Sequence, residues 1–135
     1  MEEDSLSEAF WAVARRLRHR TRETLSPWDV TPSQSRALDV LMRHGELRLN
    51  VLAEHLRIAA RSATEVVDDL QERGLVERRP DPADRRATLV ALTETGSATG
   101  RAIRAARQAE AERFFGALSD TDRADLNRIL HSLSD

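Results

Sequence analysis

Residues 50–96 read NVLAEHLRIAARSATEVVDDLQERGLVERRPDPADRRATLVALTETG and carry the clearest structural pattern in the chain. Apolar residues at helical spacing predict a short helix capped by Asn50 and a second helix from about Ala60 to Arg73, which Gly74 can end. The partly alternating runs 75–79 and 88–92 predict two antiparallel strands, and the prolines and aspartates between them predict a loop over residues 80–87. The stretch therefore predicts a helix-turn-helix followed directly by a β-hairpin with a long charged tip.

The segments on both sides of this stretch are predicted to be helical. The sequence TPSQ at residues 31–34 supplies an N-cap, a proline at the first helical position and a glutamine at the third. Thr93 and Ser119 can cap two later helices in the same way. We expect further helices over residues 6–25, 31–44, 93–115 and from 119 onward, with a minor third strand at residues 47–49. The predicted fold is mainly α with a small β-hairpin wing, in a single domain spanning residues 1–135.

The composition limits the classes of function that the chain can have. Of 135 residues, 40% are hydrophobic, 33% are charged and 4% are aromatic, which favours a helix-rich domain over a β-sandwich or barrel. The net charge of -2 argues against a polybasic coat, so any binding of nucleic acid must depend on local arginines and helix N-termini. The absence of cysteine excludes a disulfide framework, a thiolate zinc site and a thiol-based redox sensor.

Enzymatic, metal-binding and membrane functions find no support in the sequence. There is no glycine-rich phosphate loop, cysteine nucleophile or histidine cluster at catalytic spacing, so we predict neither an enzyme nor a cofactor. The histidines at positions 44, 55 and 131 show no metal-ligand spacing. The N-terminus is acidic and no apolar run approaches the roughly 20 residues of a membrane span, which predicts a cytoplasmic location.

The predicted helix-turn-helix points to duplex DNA as the partner. In such a unit the second helix lies in the major groove with its N-terminal side chains at the base edges, and an adjacent hairpin can reach the minor groove. Asn50 is one candidate for contact with DNA. The candidate base-reading residues of the second helix lie off its apolar stripe: Arg61, Ser62, Thr64 and Glu65. Because Glu65, Asp68 and Asp69 would repel phosphates unless they are paired, a winged-helix module that binds protein instead of DNA remains the alternative.

The same residues carry a family resemblance. Together, TPSQ at residues 31–34, LAEHL at 52–56 and VVDDLQERGLVERRPDPADRRATLVALTETG at 66–96 resemble the MarR (multiple antibiotic resistance regulator) family, and the resemblance covers nearly the whole chain. It implies a winged helix-turn-helix over about residues 31–92, with dimerisation helices at 5–25 and 94–134. It further implies a two-fold dimer with a ligand pocket between the dimerisation and DNA-binding parts.

The resemblance also assigns roles to residues of the hairpin. By position, Arg86 resembles the wing arginine that enters the minor groove, and Asp84 resembles the acid that orients it. Arg78 and Arg85 are candidates for phosphate contacts, and Arg79 is a weaker one. The chain departs from the family pattern at Ala59-Ala60, where a serine-proline pair is common.

Two further sets of residues are candidates for the dimer interface and for an effector site. We expect the apolar residues of the terminal helices to form a homodimer interface: Leu6, Phe10, Trp11, Phe114, Phe115, Leu118, Leu126, Ile129, Leu130 and Leu133. The alternative is that they are buried in the core of a monomer. A small aromatic or anionic effector could bind near the first two helices, where four residues are candidates: His19, Arg22, Trp28 and Arg36. Trp28 could equally close the core. The expected function is that of a ligand-responsive repressor acting as a homodimer on an imperfect palindrome.

Overall fold

The computed structural model describes residues 5–134 and has the predicted mainly helical fold with a small β-hairpin wing. Its elements in chain order are α1 (Leu6–Glu23), a 3-10 turn (Ser26–Trp28), α2 (Pro32–His44), β1 (Leu47–Arg48), α3 (Leu49–Leu56), α4 (Ala60–Glu72), β2 (Val76–Asp81), β3 (Asp84–Leu92), α5 (Glu94–Phe115) and α6 (Asp120–Leu133). None of the helices in this described range is long and apolar enough to cross a bilayer.

Local capping chemistry sets most helix starts. Thr31 and Gln34 form the predicted reciprocal capping box, and the hydroxyls of Thr93 and Ser119 accept hydrogen bonds from the first turns of α5 and α6. The predicted cap at Asn50 is wrong. Helix α3 begins two residues earlier than predicted, at Leu49, with Arg48 at the cap position and no side-chain cap, because the backbone of β1 stays paired with β3 up to Arg48.

The hairpin is more regular than its sequence suggests. The antiparallel sheet has the order β1-β3-β2. Strand β2 ends only at Asp81, and β3 begins at Asp84, which pairs with Asp81. The predicted long loop over residues 80–87 is therefore wrong, and the tip is only Pro82-Ala83. Pro80 is accommodated within β2 because β2 is an edge strand, and a register shift follows between Pro80 and Asp81.

The hydrophobic core lies beneath the helix-turn-helix and the sheet. Its most deeply buried side chains come from α2, α3, α4 and the wing strands: Leu38, Leu41, Leu52, Leu56, Val67, Leu70, Val76 and Val90. Ile103 of α5 packs into the same core. In contrast, none of the residues of α1 or α6 is buried within the described chain. The core therefore holds the central elements, and the two terminal helices are left with open apolar faces.

Helix α5 is joined tightly to the end of α4. Gly74, just after α4, adopts φ +75 and ends the helical segment, as predicted from its sequence position. The hydroxyl of Thr93 donates to the Gly74 carbonyl at 2.6 Å, and the Thr93 backbone N–H donates to the Leu75 carbonyl at 3.1 Å. These bonds fix the direction in which α5 leaves the winged unit.

Candidate nucleic-acid interface

The N-terminal part of α4 presents a polar face to solvent. Ala63, Val67 and Leu70 are buried and hold the helix against the core, whereas Arg61, Ser62 and Glu65 are exposed. The predicted contact residue Thr64 is half-buried, and its hydroxyl donates to the Ala60 carbonyl at 3.0 Å. The N-cap residue is Ala59, whose methyl group cannot accept a hydrogen bond, so first-turn backbone N–H groups remain available for an anionic partner.

Two of the four acidic residues of α4 have partners within the protein. Arg78 of the wing donates to the Asp68 carboxylate at 2.6 Å, and the side-chain amide of Gln34 donates to Asp69. Arg73, four residues after Asp69, donates to the backbone carbonyls of Trp28 and Asp29. Glu65 and Glu72, which lie seven residues apart and so on the same side of α4, stay exposed without an ion-pair partner in residues 5–134.

Two arginines stand at the hairpin tip. The guanidinium Nε of Arg86 lies 3.4 Å from the Asp84 carboxylate, which also accepts the Arg86 backbone N–H at 3.0 Å. The Arg86 side chain is 92% exposed, so this contact orients it without covering it. Arg85 is also exposed and makes no ion pair with the described part of the chain. The remaining wing candidates differ, because Arg78 pairs with α4 and Arg79 pairs with Glu77.

A contact that the sequence did not reveal anchors the wing tip to the protein body. Arg48 donates through Nε and Nη2 to Asp81 at 2.8 and 2.7 Å, and the Ala83 N–H donates to the same carboxylate at 2.8 Å. The hydrogen bond from Ala83 and then that from Arg48 lower the pKa of Asp81. The sequence places Asp81 in the predicted loop, although an aspartate whose carboxylate can accept from the N–H two residues later is a recognisable turn signal.

We expect Asp81→Asn to loosen the wing tip while the helical body stays folded. Because the pKa of Asp81 lies below its ordinary 3.8, the stabilisation by the carboxylate is fully present above that pH and is lost as the pH falls through the lowered folded-state value. Hydrogen-exchange protection factors of residues 83–86 should fall by about tenfold in the variant at pH 7. They should converge with wild type in strong acid, and an unchanged protection factor at pH 7 would contradict the anchor.

Only half of the residues predicted to bind an effector lie together. Arg22 and Arg36 line one cavity of about 310 Å³ between α1, α2 and α5. His19 instead contacts Glu23 at 3.2 Å on the exposed side of α1. Trp28 packs against the hydrophobic core, which agrees with the interpretation that it closes the core.

The residues predicted for the dimer interface are exposed or half-buried in the single chain. Leu6 is 88% exposed, Leu133 is 77% exposed and Ile129 is 46% exposed. The others are also left uncovered in whole or in part: Phe10, Trp11, Phe114, Phe115, Leu118, Leu126 and Leu130. The single protomer thus offers these side chains no core, which argues against the monomer interpretation.

Comparison with known proteins agrees with this architecture. Residues 28–87 match the MarR family. The chain is 35% identical over 130 residues to an HTH-type transcriptional regulator of Mycobacterium bovis, covering 96% of this chain and 85% of the relative. It is 25% identical over 123 residues to the HTH-type transcriptional repressor MdtR of Bacillus subtilis, covering 91% and 79% of the two chains.

Solved structures show the same fold. Wild-type MarR from E. coli in its apo form superimposes with a TM-score of 0.88 at 26% identity, covering 100% of each chain. A mutant MarR from E. coli in complex with operator DNA matches with a TM-score of 0.77 at 26% identity, covering 96% of this chain and 94% of the other. From its fold, its reading helix and wing, and its relatives, this chain belongs to the MarR family of transcription regulators, which bind DNA and are not enzymes.

Proposed function

We propose that the chain recognises a specific duplex sequence, with α4 in the major groove and the wing in the adjacent minor groove. The observation that carries this proposal is the pairing of an exposed polar face on α4 with a nearby anchored hairpin whose Arg86 is 92% exposed. A weakly hydrated, planar guanidinium suits the enhanced negative potential of a narrow minor groove. Arg61 and Ser62 are the proposed base readers, Glu65 can accept from a cytosine amino group, and Arg85 is a proposed phosphate contact.

The proposed active form is a homodimer. Residues 5–25 and 94–134 supply the uncovered apolar side chains of α1, α5 and α6, and residues 31–92 read DNA. A two-fold axis places two recognition helices in successive major grooves about 10 bp apart, so the operator should be an imperfect palindrome. A DNA-bound regulator of this kind works in the cytoplasm of a bacterium.

We further propose that the protein is a ligand-responsive repressor. The repressor MdtR is among its relatives, and the cavity that contains Arg22 and Arg36 separates helices of the proposed dimerisation part from α2 of the reading part. An effector bound there alters DNA binding only if it binds one arrangement of the two reading helices more tightly than the other.

Selection of bound sequences from a random duplex library at physiological salt tests the function directly. We expect enrichment of one palindromic pattern and an affinity that falls steeply with salt concentration. A protein-interaction module predicts neither result. That alternative depended on the acidity of α4, and the internal partners of Asp68 and Asp69 remove much of its support.

Arg86→Ala is expected to weaken DNA binding for all sequences. The slope of log affinity against log salt should fall by about one for each wing that enters a groove, because each wing loses one cationic contact. Fluorescence anisotropy with a selected duplex at several salt concentrations measures this slope. Arg128→Ala, which removes an exposed arginine on α6, serves as the control. An unchanged affinity and slope in Arg86→Ala would remove the wing from the mechanism.

A further inference from the structure

One arginine of the wing bridges a full turn of α4. Arg78 of β2 donates through Nη2 to the Asp68 carboxylate at 2.6 Å and through Nη1 to the side-chain carbonyl of Gln71. Asp68 and Gln71 are three positions apart and are therefore neighbours on one face of the helix. The planar fork of a guanidinium can hold both acceptors at once, which a lysine ammonium cannot do with the same geometry. We call this contact the Arg78 bridge.

The Arg78 bridge leaves little of the guanidinium for other partners. The Arg78 side chain is 29% exposed, against 92% for Arg86 at the hairpin tip. Both terminal nitrogens of Arg78 already donate within the protein, and a DNA phosphate would compete with the Asp68 carboxylate for the same group. These observations favour a role inside the protein over the phosphate contact that the sequence suggests.

The other polar contacts of the wing lead away from α4. Strand β3 pairs with β1, and Arg48 next to α3 holds Asp81 near the hairpin tip. Arg79, the neighbour of Arg78, points to the opposite face of the strand and pairs with Glu46 at 3.3 Å. Within residues 5–134, Arg78 is thus the wing side chain that hydrogen-bonds to the reading helix.

The bridge lies between the two elements that are proposed to read DNA. Asp68 follows Arg61 by seven positions, so the two share a face of α4 and are about 10 Å apart along its axis. In the sheet Arg78 lies opposite Val90, and Arg86 is four residues from Val90 along β3, a length of about 13 Å. A small rotation of the hairpin at Arg78 therefore moves Arg86 by a larger amount.

We propose that Arg78 is a positioning residue that fixes the offset between the reading helix and the wing tip and does not itself contact DNA. With the bridge closed, Arg61 and Arg86 are held at one separation, which suits one spacing between a major groove and the adjacent minor groove. A protein that is ordered in this way before binding loses less conformational freedom on the duplex. The bridge is observed within the chain, whereas its effect on DNA rests on the function proposed above.

Asp68→Ala separates the two roles of Arg78 because they predict opposite signs. If Arg78 positions the wing, the variant should bind a selected operator about tenfold more weakly than wild type, even though it removes a negative charge from α4. If Arg78 binds a phosphate, the variant frees its guanidinium and should bind more tightly. Fluorescence anisotropy at constant ionic strength measures both affinities, and tighter binding by Asp68→Ala would overturn the proposal.

Glu72→Ala is the matched control for this variant. Glu72 is exposed on the same helix and makes no ion pair within residues 5–134, so its replacement removes the same charge without opening the bridge. It should not weaken operator binding. Arg78→Lys keeps the positive charge but loses the fork, and it should weaken binding as Asp68→Ala does. An equal loss in Glu72→Ala, or wild-type affinity in Arg78→Lys, would contradict the role of the bridge.

A double-variant cycle distinguishes positioning from a general loss of stability. Arg86→Ala should lower operator affinity by a smaller factor in the Asp68→Ala background than in wild type, because a wing that is no longer held contributes less. A variant that is only less stable leaves the factor for Arg86→Ala unchanged once the folded fraction is matched. Strict additivity of the two substitutions would therefore overturn the proposal.

A measurement without DNA separates this proposal from the proposed function. The chain has no cysteine, so spin labels can be attached selectively at Ser62→Cys on α4 and Ala83→Cys at the wing tip. Labelled protein is diluted into unlabelled protein, so that the recorded distances lie within one protomer. The distance distribution should be wider with Asp68→Ala than without it, and Glu72→Ala should not widen it.

The outcomes of the two kinds of experiment are distinct. If the distributions are equally narrow while the protein binds an operator, the bridge does not hold the wing and the DNA-binding function stands. If Asp68→Ala widens the distribution and the protein binds no duplex, the bridge holds the wing but its role in reading DNA fails together with the proposed function. A wider distribution and weaker operator binding together are the expected result.

Discussion

Replacing Ile129 and Leu133 together with aspartate is expected to yield a folded monomer that binds operator DNA at least about 100-fold more weakly than wild type. Both side chains are exposed in the single protomer, so their replacement removes no core contact. In the proposed dimer they become buried, and charges placed there lose their hydration without gaining partners. Each monomer then contacts one half of the palindrome and loses the affinity that a dimer gains by contacting both halves at once. Light scattering measures the mass, and anisotropy measures the affinity.

A single substitution on the same helix provides the matched control. Arg128→Asp changes the net charge by the same amount as the double variant, and Arg128 lies on the side of α6 away from Ile129 and Leu133. It should stay dimeric and keep operator affinity within a few-fold of wild type. A double variant that still forms a dimer, or a wild-type protein that is a monomer at micromolar concentration, would contradict the assigned interface.

The parts of the fold that were predictable from sequence are those with local causes. Helical periodicity is repeated along each segment, and a cap such as Thr31 or Thr93 acts within three residues of its own position. These signals are sufficient to predict the order of the helices and the presence of the hairpin. The contact of Arg86 with Asp84, which the family resemblance implied, is local as well, because the two residues are two positions apart.

The contacts that escaped prediction connect distant residues. Arg48 and Asp81 are separated by 33 positions, and Gln34 and Asp69 by 35. Helix periodicity carries no information about such pairs, since they depend on how the elements pack. The same long-range effect overruled the capping preference of Asn50, because pairing of β1 with β3 fixed the start of α3. It also explains why only part of the predicted effector set meets in one cavity.

We expect Gly96→Ala to destabilise the protein by about 3 kcal/mol. A Cβ at this position would lie 1.8 Å from the Leu75 carbonyl oxygen and 2.8 Å from its carbonyl carbon. Because both atoms are backbone, the overlap cannot be relieved by a side-chain rotation, and α5 must move away from the end of α4. That shift would also strain the Thr93 bonds to Gly74 and Leu75. Urea denaturation, followed by circular dichroism, measures the change in unfolding free energy.

Gly100→Ala is the matched control because it makes the same chemical change one helical turn later. There the added Cβ would meet Met42 Sδ at 2.4 Å, which lies near the end of a flexible side chain. The gain in helix propensity, about 1 kcal/mol, should roughly offset the cost of moving Met42. If the two variants are equally stable, the approach of α5 to Leu75 is not the tight backbone contact described above. A large loss for Gly96→Ala alone indicates that the reading unit and α5 are joined through their backbones, so that movement of one must carry the other.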